Sequence, residues 1–179
     1  MAHIKLTEGI PGIVGAFMAY PKTGLILKTL ANALLIEDTP TFTQVEREII
    51  ASYVSNLNNC IFCSESHGAV ADCRAQQPGL ARQIWDDPNS SELSEKMKLM
   101  LVIAKKVQTD ARSVLTSDAE NLIKLGFSQS DFHDLILIAS AFCMFNRYVD
   151  GLGTFAPERN HQAYAEMGKI IAEKGYNRG

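Results

Sequence analysis

The sequence predicts an all-α, single-domain helical bundle. Helix-capping signals recur along the chain while strand signals are sparse. Two apolar segments are long enough to form helices covered on every face. The 179 residues, 46% of them hydrophobic and 21% charged, suit one globular domain that buries a core without staples. The first helix is expected from about Thr23 to Leu35, ending before Pro40. Thr43-Gln44-Val45-Glu46 has the form of a capping box and opens a second helix that runs to about Leu57. Asn56, Asn58 and Asn59 punctuate the chain, and a third helix is expected from near Cys60 to Ala75. Pro78 suits the start of a short helix carrying Trp85. A long helix follows from about Ser94 to Gln108. Ser117-Asp118-Ala119-Glu120 reads as another capping box, with Gly126 as the stop of that short helix. Ser128-Gln129-Ser130-Asp131 caps the next, to about Val149, and the last is expected from Pro157 to Lys174.

The remaining composition excludes several classes. Seventeen Lys and Arg against twenty Asp and Glu leave a net charge of −3, which gives no electrostatic support for binding nucleic acid or an anionic membrane. The longest uncharged apolar stretch, Leu135 to Phe145, is far short of the ~20 residues of a membrane-spanning helix. The apolar patch from Ile10 to Tyr20 is broken by Pro11, Gly12 and Gly15 and preceded by Glu8. It reads as a loop docking on the body rather than as an export signal. Four cysteines are too few for a disulfide scaffold, so a cytoplasmic protein with reduced thiols is expected. Leu99 to Ala104 and Leu135 to Phe145 are apolar on all sides. One such helix fits the centre of a small bundle, and two imply surface buried between subunits of a homo-oligomer.

Chemistry concentrates between Glu48 and His67. Cys60 and Cys63 form a C-x-x-C pair, and His67 follows Cys63 by four residues. At ~100° per residue all three share one helix face, with the cysteines one turn apart and the imidazole within reach of Cys63. The asparagines place the group at a helix start, whose partial positive charge favours thiolate. A thiolate attacks peroxides or disulfides, and a second cysteine then converts the sulfenic acid to a disulfide. A metal site and a pair of small buried cysteines beside a hydrogen-bonded histidine are the competing readings. Structural zinc, however, normally takes four ligands and only one C-x-x-C is present. On the preceding helix Val45, Ile49, Ile50, Tyr53, Val54 and Leu57 make the apolar face. Glu48 falls opposite, with Ala51, Ser52 and Ser55. It reads either as a proton acceptor for the cysteine–histidine group through a water or as a solvated surface carboxylate. Cys143 reads as a core thiol, Cys73 as structural and Trp85 as packing or interface.

Glu48, Cys60, Cys63 and His67 at these spacings resemble the alkylhydroperoxidase D-like group of the carboxymuconolactone decarboxylase superfamily, in its peroxidase-related branch. Glu46-Arg47-Glu48, Ser55, Asn58, His67-Gly68, and Asn146-Arg147 followed by Asp150-Gly151-Leu152-Gly153 support the resemblance, which covers about residues 40–155. It implies a helical bundle assembled as dimers, trimers or hexamers. It also implies reduction of hydroperoxides through a redox-active Cys60–Cys63 disulfide, with no bound cofactor and with reducing equivalents from an external protein, lipoyl-type or small thiol. By that analogy Cys63 is the peroxidatic thiol, Cys60 resolves it, and Glu48 and His67 relay protons. Helix-start electrostatics alone favour Cys60 as the more acidic thiol, whereas His67 is better placed for Cys63. The chain departs from the group's pattern at Phe62, where a second histidine stands directly before the second cysteine. That departure puts peroxidase efficiency in question and leaves disulfide exchange intact.

Overall fold

The Thr43 and Ser128 capping signals hold in three dimensions. Thr43 Oγ1 accepts the Glu46 amide while the Glu46 carboxylate accepts the Thr43 amide. Ser128 and Asp131 make the same exchange. The computed structural model describes residues 2–176, and within them every regular element is a helix. In chain order these are α1 (Gly12–Ala19), α2 (Pro21–Leu35), α3 (Gln44–Leu57), α4 (Ile61–Ala75), α5 (Leu80–Asp86), α6 (Glu95–Asp110), α7 (Thr116–Lys124), α8 (Gln129–Gly151) and α9 (Gln162–Lys174), with a 3₁₀ turn at Ala111–Ser113. None of them is long and apolar enough to cross a membrane.

Helix α3 sits at the centre. It packs against α4 most extensively and also against α8, α6, α5 and α2, so every residue from Arg47 to Ser55 is buried. Neither of the two all-apolar segments is the central helix, and neither is covered on every face within the chain. Both of those helices leave an apolar side chain outside, Val102 on α6 and Met144 on α8, each 44% exposed. The amphipathic α3 is the buried one because its polar face is small and self-satisfied. Ser52 Oγ donates to Ile49 O and Ser55 Oγ to Ala51 O, which removes the penalty for burying hydroxyls and lets neighbours come close. The Arg47 guanidinium is buried with Asp134 at 3.0 Å and the Leu34 carbonyl at 2.9 Å, and it lies over the Phe42 ring.

Several boundaries differ from the sequence reading. The patch from Ile10 to Tyr20 is not a loop, since most of it forms α1. Its glycines permit close packing: a Cβ on Gly12 would stand 2.2 Å from the Phe62 ring, so the backbone lies directly on that side chain. Pro21, which needs no amide partner at a helix start, begins α2. α7 starts at Thr116 rather than after Ser117, because Asp118 reaches back to the Leu115 amide and also binds Lys106. α5 starts at Leu80, two residues beyond Pro78, and α9 starts at Gln162, five residues after Pro157. The segment before α9 stays irregular. There the Pro157 carbonyl accepts the Tyr164 hydroxyl, and His161 caps the helix through the Ala163 amide.

Candidate active site

The site is built on the α3–α4 hairpin. α3 ends in a Schellman turn: the Asn59 amide donates to Asn56 O and the Cys60 amide to Ser55 O. Asn59 takes the left-handed conformation (φ +58°), which asparagine tolerates better than other non-glycine residues. The turn is so short that Cys60 becomes the N-cap of α4, and α4 runs back along α3. The third predicted helix therefore starts where the sequence placed it, with Cys60 at its positive end.

Cys60 and Cys63 are free thiols, 1% and 3% exposed, and they approach to 3.5 Å. With Phe62, Val149 and Tyr164 they form a small apolar cluster separate from the main core. The two sulfurs behave differently. The Cys63 thiol donates a hydrogen bond to the Cys60 sulfur, and the Cys63 backbone amide adds another. Together these hold the Cys60 thiol below its ordinary value against burial and the carboxylate of Asp150. Cys63 is held well above its ordinary value, first because its proton is engaged by Cys60, then by burial and by the negative charge on Cys60. Asn146 opposes this with a side-chain hydrogen bond. Cys60 is therefore the sulfur of the pair that ionises first.

Asn146 is buried and belongs to a chain of amides. Gln108 donates to Asn58 Oδ1, Asn58 donates to Asn146 Oδ1, and Asn146 donates to Ser55 Oγ. Asn58 also lies 3.7 Å from the Cys143 sulfur, which ties that thiol to the periphery of the network. Tyr164 covers the pair. Burial, then the negative charge of Glu65 and of the cysteine pair, pushes its phenol up to about 12, so it stays neutral. Phe62, in place of a histidine, points away from proton chemistry: its ring packs on Gly12 and stands 6.2 Å from the Tyr164 ring.

One helical turn beyond Cys63, His67 faces α3. Its Nδ1 lies 2.8 Å from Glu48 Oε2. Glu48 is fully buried, so the solvated-carboxylate reading does not hold, and the contact to the imidazole is direct rather than through a water. His67 keeps 13% of its side chain exposed and meets the Phe142 ring edge-on. A further partner was not foreseen. The Tyr176 hydroxyl lies 2.7 Å from Glu48 Oε1 and 3.0 Å from His67 Nδ1. All four predicted site residues thus lie on or between two adjacent helices. Asn146 and Asp150 had entered only through the resemblance. Their signal in the sequence is that they stand four residues apart on one face of α8, next to apolar Phe145 and Val149.

The remaining singled-out residues have structural roles. Trp85 packs over Gly68 and donates to Ser52 Oγ. Arg147 is exposed and bonds the Cys143 carbonyl. No group of three or more His, Cys, Asp or Glu side chains among the described residues is arranged to hold a metal ion.

A helical bundle that presents a buried dithiol at a helix start, beside a carboxylate–imidazole pair, defines a dithiol protein of the Cys-x-x-Cys class. Solved structures place its fold. The chain superposes on an uncharacterized peroxidase-related protein from Ralstonia eutropha JMP134, described as an alkylhydroperoxidase AhpD core. The TM-score is 0.77 and the identity 25%, covering 89% of this chain and 82% of that one. An uncharacterized peroxidase-related protein from Silicibacter sp. TM1040 matches with TM-score 0.77 and 23% identity, covering 87% of this chain and 79% of that one. No family model and no curated protein sequence matches the chain. The chain has the alkylhydroperoxidase D-like fold, as the resemblance in its motif implied.

Proposed function

We propose that the protein is a thiol-dependent peroxidase that cycles Cys60 and Cys63 between dithiol and disulfide. The observation that carries this reading is the buried dithiol itself, two free cysteines 3.5 Å apart at the start of α4, of which Cys60 is the more acidic. The Cys60 thiolate attacks the distal oxygen of a hydroperoxide. The O–O bond breaks, the alkoxide leaves with a proton as the alcohol, and Cys60 becomes a sulfenic acid. The Cys63 sulfur then attacks Cys60, water leaves, and a disulfide closes. Closure needs the sulfurs to move from 3.5 Å to about 2.05 Å, a short step for two residues at a helix start. As Cys63 attacks, its proton passes to the His67–Glu48 pair. The assignment that the resemblance implies, with Cys63 attacking first, requires that transfer to precede the reaction with peroxide. A two-electron reductant restores the dithiol, and a lipoyl-type, protein or small thiol has the required chemistry. The reading needs no bound cofactor.

The expected test product is specific. One equivalent of an organic hydroperoxide on the reduced protein removes two hydrogens, mapped to a peptide linking Cys60 with Cys63. Thiols left unmodified at both positions refute the peroxidase reading and favour a metal-binding or structural oligomer. A homo-oligomer is part of this proposal. It is supported by apolar side chains left outside on three helices, Leu25 and Ile26 on α2, Val102 on α6 and Met144 on α8. Light scattering giving the mass of a single chain at micromolar concentration refutes it.

A further inference from the structure

The reading of Glu48 and His67 as a two-membered relay leaves out the group that touches both. Helix α9 lies against α4 closely enough that a Cβ on Gly168 would stand 2.7 Å from the Ala69 backbone. The chain then turns at Gly175, whose φ of +69° and ψ of −169° belong to a region that side chains exclude. A Cβ there would also press on Asn32 Oδ1 at 3.0 Å. Past the turn, the same Asn32 Oδ1 accepts the Tyr176 amide at 3.1 Å. The ring of Tyr176 lies over the His67 ring, with centroids 5.6 Å apart and planes 25° from parallel. Two anchors thus bring one hydroxyl to the carboxylate and the imidazole at once.

With Glu48 as the carboxylate and the imidazole neutral, counting protons fixes the arrangement. A carboxylate only accepts, and the phenol has a single hydrogen, so the Tyr176 hydroxyl donates to Glu48 Oε1. Nδ1 of His67 faces Glu48 Oε2 at 2.8 Å and the Tyr176 oxygen at 3.0 Å, both acceptors in its direction, so Nδ1 carries the proton. The other ring nitrogen, Nε2, is then the unprotonated one. Glu48 is fully buried, and without the phenol its Oε1 loses the donor that holds the carboxylate in place. We propose that Tyr176 is a positioning residue of this site. Bonded to both Glu48 and His67, its hydroxyl fixes the carboxylate and the imidazole tautomer, so that Nδ1 keeps its proton and Nε2 is the basic nitrogen of the ring. The proposal rests on the thiol-redox reading for the use of that basic nitrogen, while the tautomer itself is independent of it.

The test uses the full chain and Tyr176→Phe, which keeps the stacked ring and removes only the hydroxyl. Nitrogen NMR of His67 in the reduced wild-type protein reports Nδ1 protonated and Nε2 bare. In Tyr176→Phe the two tautomers mix, and oxidation of the dithiol by cumene hydroperoxide slows about tenfold at neutral pH, the effect of one hydrogen bond to a charged group. The pH–rate profile moves as well, which simple loosening of packing does not produce. Asn32→Ala, which frees the Tyr176 backbone and leaves the three side chains in place, gives a smaller loss in the same direction. It carries the test if Tyr176→Phe does not fold. An unchanged tautomer with an unchanged pH–rate profile in the folded variants overturns the proposal. If wild-type thiols do not react with hydroperoxide, the peroxidase reading fails, and the NMR comparison alone decides the role of Tyr176.

Discussion

Replacing Cys63 by alanine removes the thiol hydrogen that the Cys60 sulfur accepts, and leaves the backbone amide that also points there. A hydrogen bond to a charged group contributes roughly 1.5–3 kcal/mol, and each pKa unit corresponds to about 1.36 kcal/mol. The Cys60 thiol should therefore titrate about 1–2 units higher in Cys63→Ala. At a pH below both values its thiolate fraction falls roughly 10- to 100-fold. The more basic thiolate is also the better nucleophile, with a Brønsted coefficient of about 0.4–0.5, which returns a factor of roughly 3 to 8. The net expectation is alkylation of Cys60 by iodoacetamide slowed roughly 3- to 10-fold at a pH below both values, and faster than wild type once both proteins are fully ionised, so the two profiles cross. The assay is the pH dependence of alkylation, with the modified peptide identified by mass spectrometry. Preferential alkylation of Cys63 in the wild-type protein, or a Cys60 profile in Cys63→Ala that is unshifted or moves down, refutes the reasoning and returns the resting charge to Cys63.

Three other perturbations follow from the same structure. Asp150→Asn removes a carboxylate that opposes ionisation of Cys60, so Cys60 alkylation should extend to lower pH; a profile unchanged or moved upward contradicts the charge assignment. Burial pushes the Asp131 carboxyl up, but hydrogen bonds from Thr41, Ser128 and Thr39 outweigh it and hold it at about 2, against an ordinary value of 3.8. Its folded value is depressed, so about 2 kcal/mol of stability is present above pH ~4 and lost as the pH falls toward ~2. Urea denaturation of Asp131→Asn should lack that part of the acid dependence, and identical pH slopes in the two proteins count against it. Gly168→Ala forces α9 away from α4 and should cost roughly 1–3 kcal/mol in denaturant unfolding; an unchanged midpoint means that the helices do not meet as described.

The parts of the fold legible in the sequence are those specified locally. The Thr43, Ser94 and Ser128 caps fall where the side chains demand, since each bond spans three residues. The spacing of Cys60, Cys63 and His67 sufficed for the same reason, because one helix carries His67 and Cys63 and is capped by Cys60. Glu48 was harder: its side of α3 carries serines, and nothing local says that the helix closes those hydroxyls on its own carbonyls and goes to the centre. The glycines of the Ile10–Tyr20 patch look like loop punctuation, whereas they are the positions where α1 meets the Phe62 ring, at Gly12, and the Ile10 carbonyl, at Gly15. Tyr176 was not legible at all. It lies 128 residues from Glu48 and 109 from His67, and only the path of α9 over α4 brings it to them.

The turn at Asn59 also sets a rule of length. Glu48 and His67 stand 19 residues apart, counted down one helix, around a fixed corner and up the next. One residue inserted anywhere in that interval rotates everything beyond it by ~100° about its helix axis and swings one member away from the other. The interval therefore works as a ruler closed at both ends. Length variation that the protein survives with its site intact is confined to segments outside it, such as the irregular stretches before α6 and before α9, where neither member of the pair is carried along.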